Sequence, residues 1–158
     1  MEAGAHEYRF EIGSPAVLLR QALAEMTTDQ QMSGRLRIEI DDDLPAIRAD
    51  QEAITRAVRN LVDNAVKYSP RSGVIWITAV RTPAGVAMSV RDEGPGIPQG
   101  RQREIFEKFV RATGAAAVPG TGLGLAMVRQ IVRAHGGSVE LQSEPGRGST
   151  FTIHLPSG

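Results

Sequence analysis

The chain has no cysteine and only three histidines among its 158 residues. Without cysteine there are no disulfides and no thiolate metal sites, and three scattered histidines do not make the clustered set that Zn²⁺ takes. A missing cysteine is compatible with any redox compartment. An excess of one charge is also absent: 18 Lys and Arg stand against 18 Asp and Glu. No net field therefore steers the chain onto nucleic acid or an anionic membrane, and any phosphate binding has to be local. No apolar run approaches the roughly 18 residues that cross a bilayer. The start, MEAGAHEY, lacks the basic region and apolar stretch of a secretion signal. These absences predict a soluble chain with no nucleic-acid partner, no secretion signal and no direct membrane contact. The length suits one buried core, and no repeat or linker divides it, so 1–158 reads as a single domain.

Periodicity then orders the elements. EYRFEI reads as a short strand, and Ser14 followed by Pro15 opens a helix to about Met26 with an apolar face of Val17, Leu18, Ala22 and Met26. After the polar TTDQQMSG, RLRIEI alternates as a half-buried strand and DDDLP breaks it. Asp50 is placed to cap a helix that runs to Tyr68, where Ser69 and Pro70 stop it. VIWITAV, holding the lone Trp76, and GVAMSVRD read as a hairpin joined by RTPAG. Gln99 to Val110 contains a short helix in this reading, and the Gly- and Ala-rich Ala112 to Pro119 is a mobile stretch. A helix from about Leu123 to Ala134 or His135 stops at Gly136 and Gly137, and SVELQS and STFTIHL close the chain as a hairpin around EPGRG. The methionines read as core filler. The order predicts an α/β (α+β) two-layer sandwich, with helices on one face of a mixed sheet.

Three blocks carry chemistry. In NLVDNAVKYSP, at about 100° per residue, Ile54, Val58, Leu61 and Ala65 of the same helix form one apolar arc. Asn60, Asn64 and Lys67 fall on one polar stripe beside it, within about 40° of Asn60. Carboxamide oxygens suit a Mg²⁺ that keeps water and phosphate oxygens, and Lys67 is a point charge for phosphate; alone, the stripe is also what a solvated helix face looks like. In RDEGPGIP a strand delivers Asp92 to a turn whose glycines let backbone approach a ligand, and Asp92 is positioned to accept from an exocyclic amine. An ordinary Asp and Gly turn has the same letters. GTGLGLA places Gly120, Gly122 and Gly124 at a helix start, where free N–H groups and the helix dipole suit phosphate. It is neither a dinucleotide fingerprint nor a Walker A loop, and by itself it also fits a plain hinge.

All three blocks in this order, with IFEKFVR at Ile105 to Arg111 between the second and third and GRGSTFTIHLP closing the chain, resemble the N, G1, F and G2 boxes of sensor histidine kinases. The resemblance implies the Bergerat fold of the GHKL superfamily, with about five strands, three main helices on one face, and ATP under a flexible lid at about Ala112 to Pro119. It implies ATP and Mg²⁺ as ligands, with Asn64 the principal Mg²⁺ ligand and Asn60 adjacent. Lys67 and Tyr68 then line the phosphate and base regions, Asp92 accepts from the adenine amine, and Gly94, Gly96 and Ile97 shape the floor. Phe106 and Phe109 anchor the lid and Arg111 reaches toward the γ-phosphate. Gly120, Thr121, Gly122, Leu123, Gly124 and Leu125 form the phosphate-binding helix start. The partners implied are a dimerisation and phosphoacceptor domain of the same protein and a response regulator. The domain itself would be cytoplasmic, in a parent whose sensor and transmembrane parts lie outside these residues.

The wider superfamily includes gyrase-type and mismatch-repair ATPases, heat-shock chaperones and anti-sigma-type serine kinases. Hydrolytic members resemble one another in carrying Glu where this chain has Asn60, and a carboxamide is no general base near neutral pH. That favours phosphoryl transfer over hydrolysis. The chain departs from a complete kinase in its histidines. His6, His135 and His154 lack a helical H-[ED]-x-x-[PT] setting. His6 reads as part of a strand; His135, at a helix end where a cation is favoured, and His154, in the last strand, read as structural. A serine kinase with the same pocket and a non-catalytic binding module stay as alternatives.

Overall fold

The computed structural model describes residues 7–28, 34–70, 73–102, 104–106 and 121–157. Seven strands and three long helices follow one another among them: β1 (Glu11–Gly13), α1 (Pro15–Thr28), β2 (Leu36–Ile40), β3 (Ile47–Ala49), α2 (Gln51–Tyr68), β4 (Ile75–Arg81), β5 (Gly85–Asp92), α3 (Thr121–Ala134), β6 (Ser138–Ser143) and β7 (Ser149–Pro156). Asp50 caps α2 as expected, its carboxylate accepting the Ala53 N–H at 3.1 Å. At the other end Ser69 leaves the helical conformation and donates its N–H to the Ala65 carbonyl.

Five strands form one sheet in the order β2-β4-β5-β7-β6. Only β2 and β4 run parallel. A parallel pair needs a crossover, and the chain between them supplies α2 for it. Period-two alternation then separates the faces. Ile75, Ile77 and Ala79 of β4, Val86, Met88 and Val90 of β5, and Phe151, Ile153 and Leu155 of β7 are buried in the core with the helices. On the other face Arg91 lies over the Trp76 ring, 4.9 Å from its centroid, and the Ser89 and Thr152 hydroxyls bond at 3.0 Å. The sandwich read from the sequence is the one found.

Three local readings change. On α1, Val17 is half exposed at 50%, and the buried face is Leu18, Leu19, Ala22 and Leu23 with Met26 partly covered. The adjacent pairs Leu18–Leu19 and Ala22–Leu23, one turn apart, shift the apolar arc away from Val17. The opening strand is shorter than EYRFEI, because only Glu11–Gly13 pairs, with the unforeseen β3. Glu7 to Phe10 is held another way: the Arg9 N–H donates to Asp50 Oδ2 at 2.9 Å, and the Tyr8 and Phe10 rings meet His135 at 5.6 and 4.9 Å. The segment after residue 98 forms two 3-10 turns, Gln99–Arg101 and Glu104–Phe106, where one short helix was expected; residues 107–110 lie outside the described ones. His135, read from the sequence as a structural helix-end residue, is buried and ties the end of α3 to the start of α2. Its Nε2 accepts the Asp50 N–H at 3.0 Å, which leaves Nδ1 to donate to the Ile131 carbonyl at 2.8 Å.

Candidate functional site

Helix α2 is the common wall of the site, because the two glycine-bearing segments press on it at different heights. At Gly124 a Cβ would stand 3.4 Å from Asn60 Oδ1, so the start of α3 rests against Asn60. At Gly94 a Cβ would come within 2.7 Å of the Tyr68 carbonyl, so the loop after β5 rests against the end of α2. Eight residues separate Asn60 from Tyr68, about 12 Å along a helix at 1.5 Å per residue. Asn64 lies midway and is buried at 6% exposure, Asn60 and Tyr68 are half-buried, and Lys67 is exposed. The polar stripe predicted on α2 thus runs from the solvent into the protein. The Asn60 Nδ2 is buried with no hydrogen-bond partner among the described residues. A buried donor without a partner costs about 1–3 kcal/mol, so this amide is poised for a ligand oxygen.

The opposite end is built around Asp92, the last residue of β5, which is 5% exposed. Its Oδ1 accepts the Gly94 N–H at 2.8 Å. Burial pushes the carboxyl pKa up, and hydrogen bonds from the Gly94 and Ser149 N–H groups partly oppose the rise. Gly148 (φ +81°) lies against Asp92, where a Cβ would fall 2.1 Å from the Asp92 carbonyl oxygen. Gly96 (φ +77°) meets the Glu144 carbonyl in the same way. The loop is therefore stapled to the turn between β6 and β7. The Ile97 N–H donates to Ser143 Oγ at 2.7 Å, the Gly146 N–H to the Pro95 carbonyl at 2.6 Å, and Gln102 Nε2 to the Ile97 and Ser143 carbonyls.

The sequence reading did not single out Ser143, Gly148 and Ser149 as part of this setting, although the two glycines of EPGRG signal a tight approach. Of the predicted site residues, the structure sets Gly124 against Asn60, Gly94 against Tyr68 and Asp92, Gly96 against Glu144 and Ile97 against Ser143, with Asn64 buried on α2 between Asn60 and Tyr68 and Lys67 exposed; these residues border the candidate cleft on α2. Thr121, Gly122 and Leu123 belong to the first turn of α3, and the Leu125 side chain is in the hydrophobic core. Phe106 packs edge-on against Phe151 at 5.8 Å between centroids. Phe109, Arg111, Gly120 and the expected lid at 112–119 lie outside the described residues, as does His6.

An acceptor for an amine at one end, a carboxamide and a helix N-terminus at the other, and a second carboxamide between them suit an elongated ligand with a base and a phosphate chain. Comparisons with known proteins agree. The family described as histidine kinase-, DNA gyrase B-, and HSP90-like ATPase matches residues 49–158. The chain is 37% identical over 153 residues to the adaptive-response sensory kinase SasA of Microcystis aeruginosa, covering 96% of this chain and 39% of that protein. It spans well under half the length of the first curated relatives it matches. Among solved structures, the mycobacterial sensor histidine kinase MprB superposes with a TM-score of 0.77 at 28% identity, covering 94% of this chain and 97% of that one. Full-length ShkA in complex with AMPPNP superposes with a TM-score of 0.78 at 32% identity, covering 96% of this chain and 32% of ShkA.

Proposed function

The chain belongs to the histidine kinase-, DNA gyrase B- and HSP90-like ATPase family, and on that premise we propose that residues 1–158 are one catalytic and ATP-binding domain of a sensor histidine kinase. The domain holds ATP with Mg²⁺ and gives the γ-phosphoryl to a histidine on a dimerisation domain elsewhere in the same protein, for relay to a response-regulator aspartate. The parent is a membrane-borne sensor with this domain in the cytoplasm; no helix among the described residues is long and apolar enough to cross a membrane. The observation that carries the reading is the pair of contacts on α2, Asn60 with Gly124 and Tyr68 with Gly94, about 12 Å apart on one rigid helix.

Each residue then has a task. Asp92 accepts the adenine amine and selects the base. Tyr68, Gly94, Gly96 and Ile97 bound the base, and the absence of side chains at the two glycines lets backbone come close. Asn64 would hold Mg²⁺, which when bound would neutralise charge on the phosphate oxygens. The unpaired amide of Asn60 meets a phosphate oxygen, and Lys67 adds charge from the rim. Backbone N–H groups from Thr121 to Leu125 cradle the phosphates at the N-terminus of α3. In the transfer the bond from the γ-phosphorus to its bridging oxygen breaks as one to the acceptor imidazole nitrogen forms, and ADP leaves. Neither histidine among the described residues serves as the acceptor. His135 has both ring nitrogens committed inside the protein, and His154 sits on β7 with Glu140 3.7 Å away.

The test is a titration with a fluorescent ATP analogue, with and without Mg²⁺, with unlabelled ATP and GTP as competitors. We expect saturable binding displaced by ATP before GTP. Asp92→Ala should weaken it by about 1.5–3 kcal/mol, roughly ten- to a hundredfold or somewhat more. No saturable binding, or equal displacement by GTP, sinks the adenine pocket.

A further inference from the structure

β6 is the last strand of the five-stranded sheet, so one of its edges has no strand partner among the described residues. Such an edge presents a row of backbone N–H and C=O groups. It is closed at one end, where Gln102 Nε2 donates to the Ser143 carbonyl at 3.0 Å, which leaves residues 138–142. Beside it lies a groove of about 710 Å³. Val139 and Leu141 of β6 with Phe106 give it a half-buried apolar floor, and Arg129 and Arg133 of α3 line it. Among the described residues neither arginine makes an ion pair, and no acidic residue lines the groove.

We propose that this edge is a docking site for an extended, acidic segment of a partner protein, which adds to β6 as a sixth strand and sets its alternate carboxylates against Arg129 and Arg133. Charge complementarity selects that occupant, since two unpaired cations above an apolar floor repel a basic strand and leave a neutral one without a counter-charge. The spacing agrees: residues four apart on a helix are displaced by about 6 Å along its axis, and alternate residues on a strand by about 6.8 Å. Main-chain bonds to residues 138–142 supply affinity, and the inward side chains supply choice of sequence. The inference does not rest on nucleotide binding, because none of these side chains belongs to the cleft on α2.

A fluorescein-labelled decapeptide alternating Glu and Val, titrated against the domain by anisotropy, is the probe. It should bind saturably at about 50 mM salt and more weakly at about 500 mM. The double variant Arg129→Glu/Arg133→Glu should lose at least about tenfold in affinity and take the matching Lys and Val peptide in its place. A peptide N-methylated at alternate amides should also lose binding, because it cannot complete the strand ladder. Melting temperature and the nucleotide titration report whether the variant has folded; if it has not, Arg129→Gln/Arg133→Gln takes its place. The proposal is overturned by an absence of saturable binding, by undiminished affinity in the arginine variant, or by an N-methylated peptide that binds as well as the parent.

Discussion

Asp50 joins three separate parts of the chain, so replacing it should be costly in a way that can be apportioned. Its Oδ1 caps α2 through the Ala53 N–H, its Oδ2 accepts the Arg9 N–H, and its own N–H donates to His135 Nε2. Asp50→Ala leaves the last bond, which is made by the backbone, and removes the first two. A lost cap costs about 0.5–2 kcal/mol and a hydrogen bond to a charged acceptor about 1.5–3 kcal/mol. Arg9 is exposed and its N–H can turn to water, so the total should be about 2–3 kcal/mol. For a chain of this size that lowers the melting temperature by about 4–12 °C. The pH dependence has a definite sign. Burial raises the Asp50 pKa, but the N–H groups of Arg9 and Ala53, together with His135 and the Glu52 N–H, outweigh it and hold the carboxyl below its ordinary value. A depressed folded pKa gives stability that is complete above the unfolded value, about 3.9, and lost as pH falls through the folded one. The gap between wild type and Asp50→Ala in urea melts should therefore be full at neutral pH and shrink below about pH 4. Asp50→Asn, which keeps a capping oxygen, should fall between the two. A cost under about 0.5 kcal/mol, or a gap unchanged down to the lowest pH at which the chain folds, would refute the reasoning.

Asp92 has the opposite sign: its raised pKa means that ionisation opposes folding, so its contribution is complete below the unfolded value and lost as pH rises. Asp92→Asn should gain melting temperature relative to wild type between about pH 4 and 7, and a gain that falls with pH would contradict this. Gly146 and Gly148 share positive φ, +82° and +81°, but only Gly148 has a neighbour, the Asp92 carbonyl, at 2.1 Å from an added Cβ. Gly146→Ala should cost about 1–2 kcal/mol, and Gly148→Ala distinctly more with a loss of ATP affinity; equal denaturation midpoints would remove Gly148 from the support of Asp92. In the reconstituted parent kinase, Asn64→Ala should abolish autophosphorylation measured by γ-phosphate transfer, and full activity would take Asn64 out of the mechanism.

Where neighbours along the chain decide the structure, the sequence was readable. The arc of Ile54, Val58, Leu61 and Ala65, the Asp50 cap and the hairpin of β4 and β5 needed only local periodicity, and each is present. Distant partners were the obstacle. β3 is three residues, too short for its alternation to stand out, and it becomes a strand because β1 lies beside it. Tyr8 and Phe10 look like strand residues until His135 arrives from more than 120 residues away. The same holds in the cleft. Asp92 and Gly94 stood out by type and spacing, whereas Ser149 and Gly148, which hold Asp92 in place, become neighbours only when β5 pairs with β7.

Ile47 is bonded on both sides, to Gly13 of β1 and to Ser157 through an isolated antiparallel bridge. With strands about 4.8 Å apart, the first strand and the last described residue sit roughly 10 Å from each other across one shared neighbour. A short flexible linker can close that gap. The order of the chain is therefore separable from its architecture: a circular permutant joined there and opened between β4 and β5, at the exposed Pro83 and Ala84, should refold with the cleft on α2 intact.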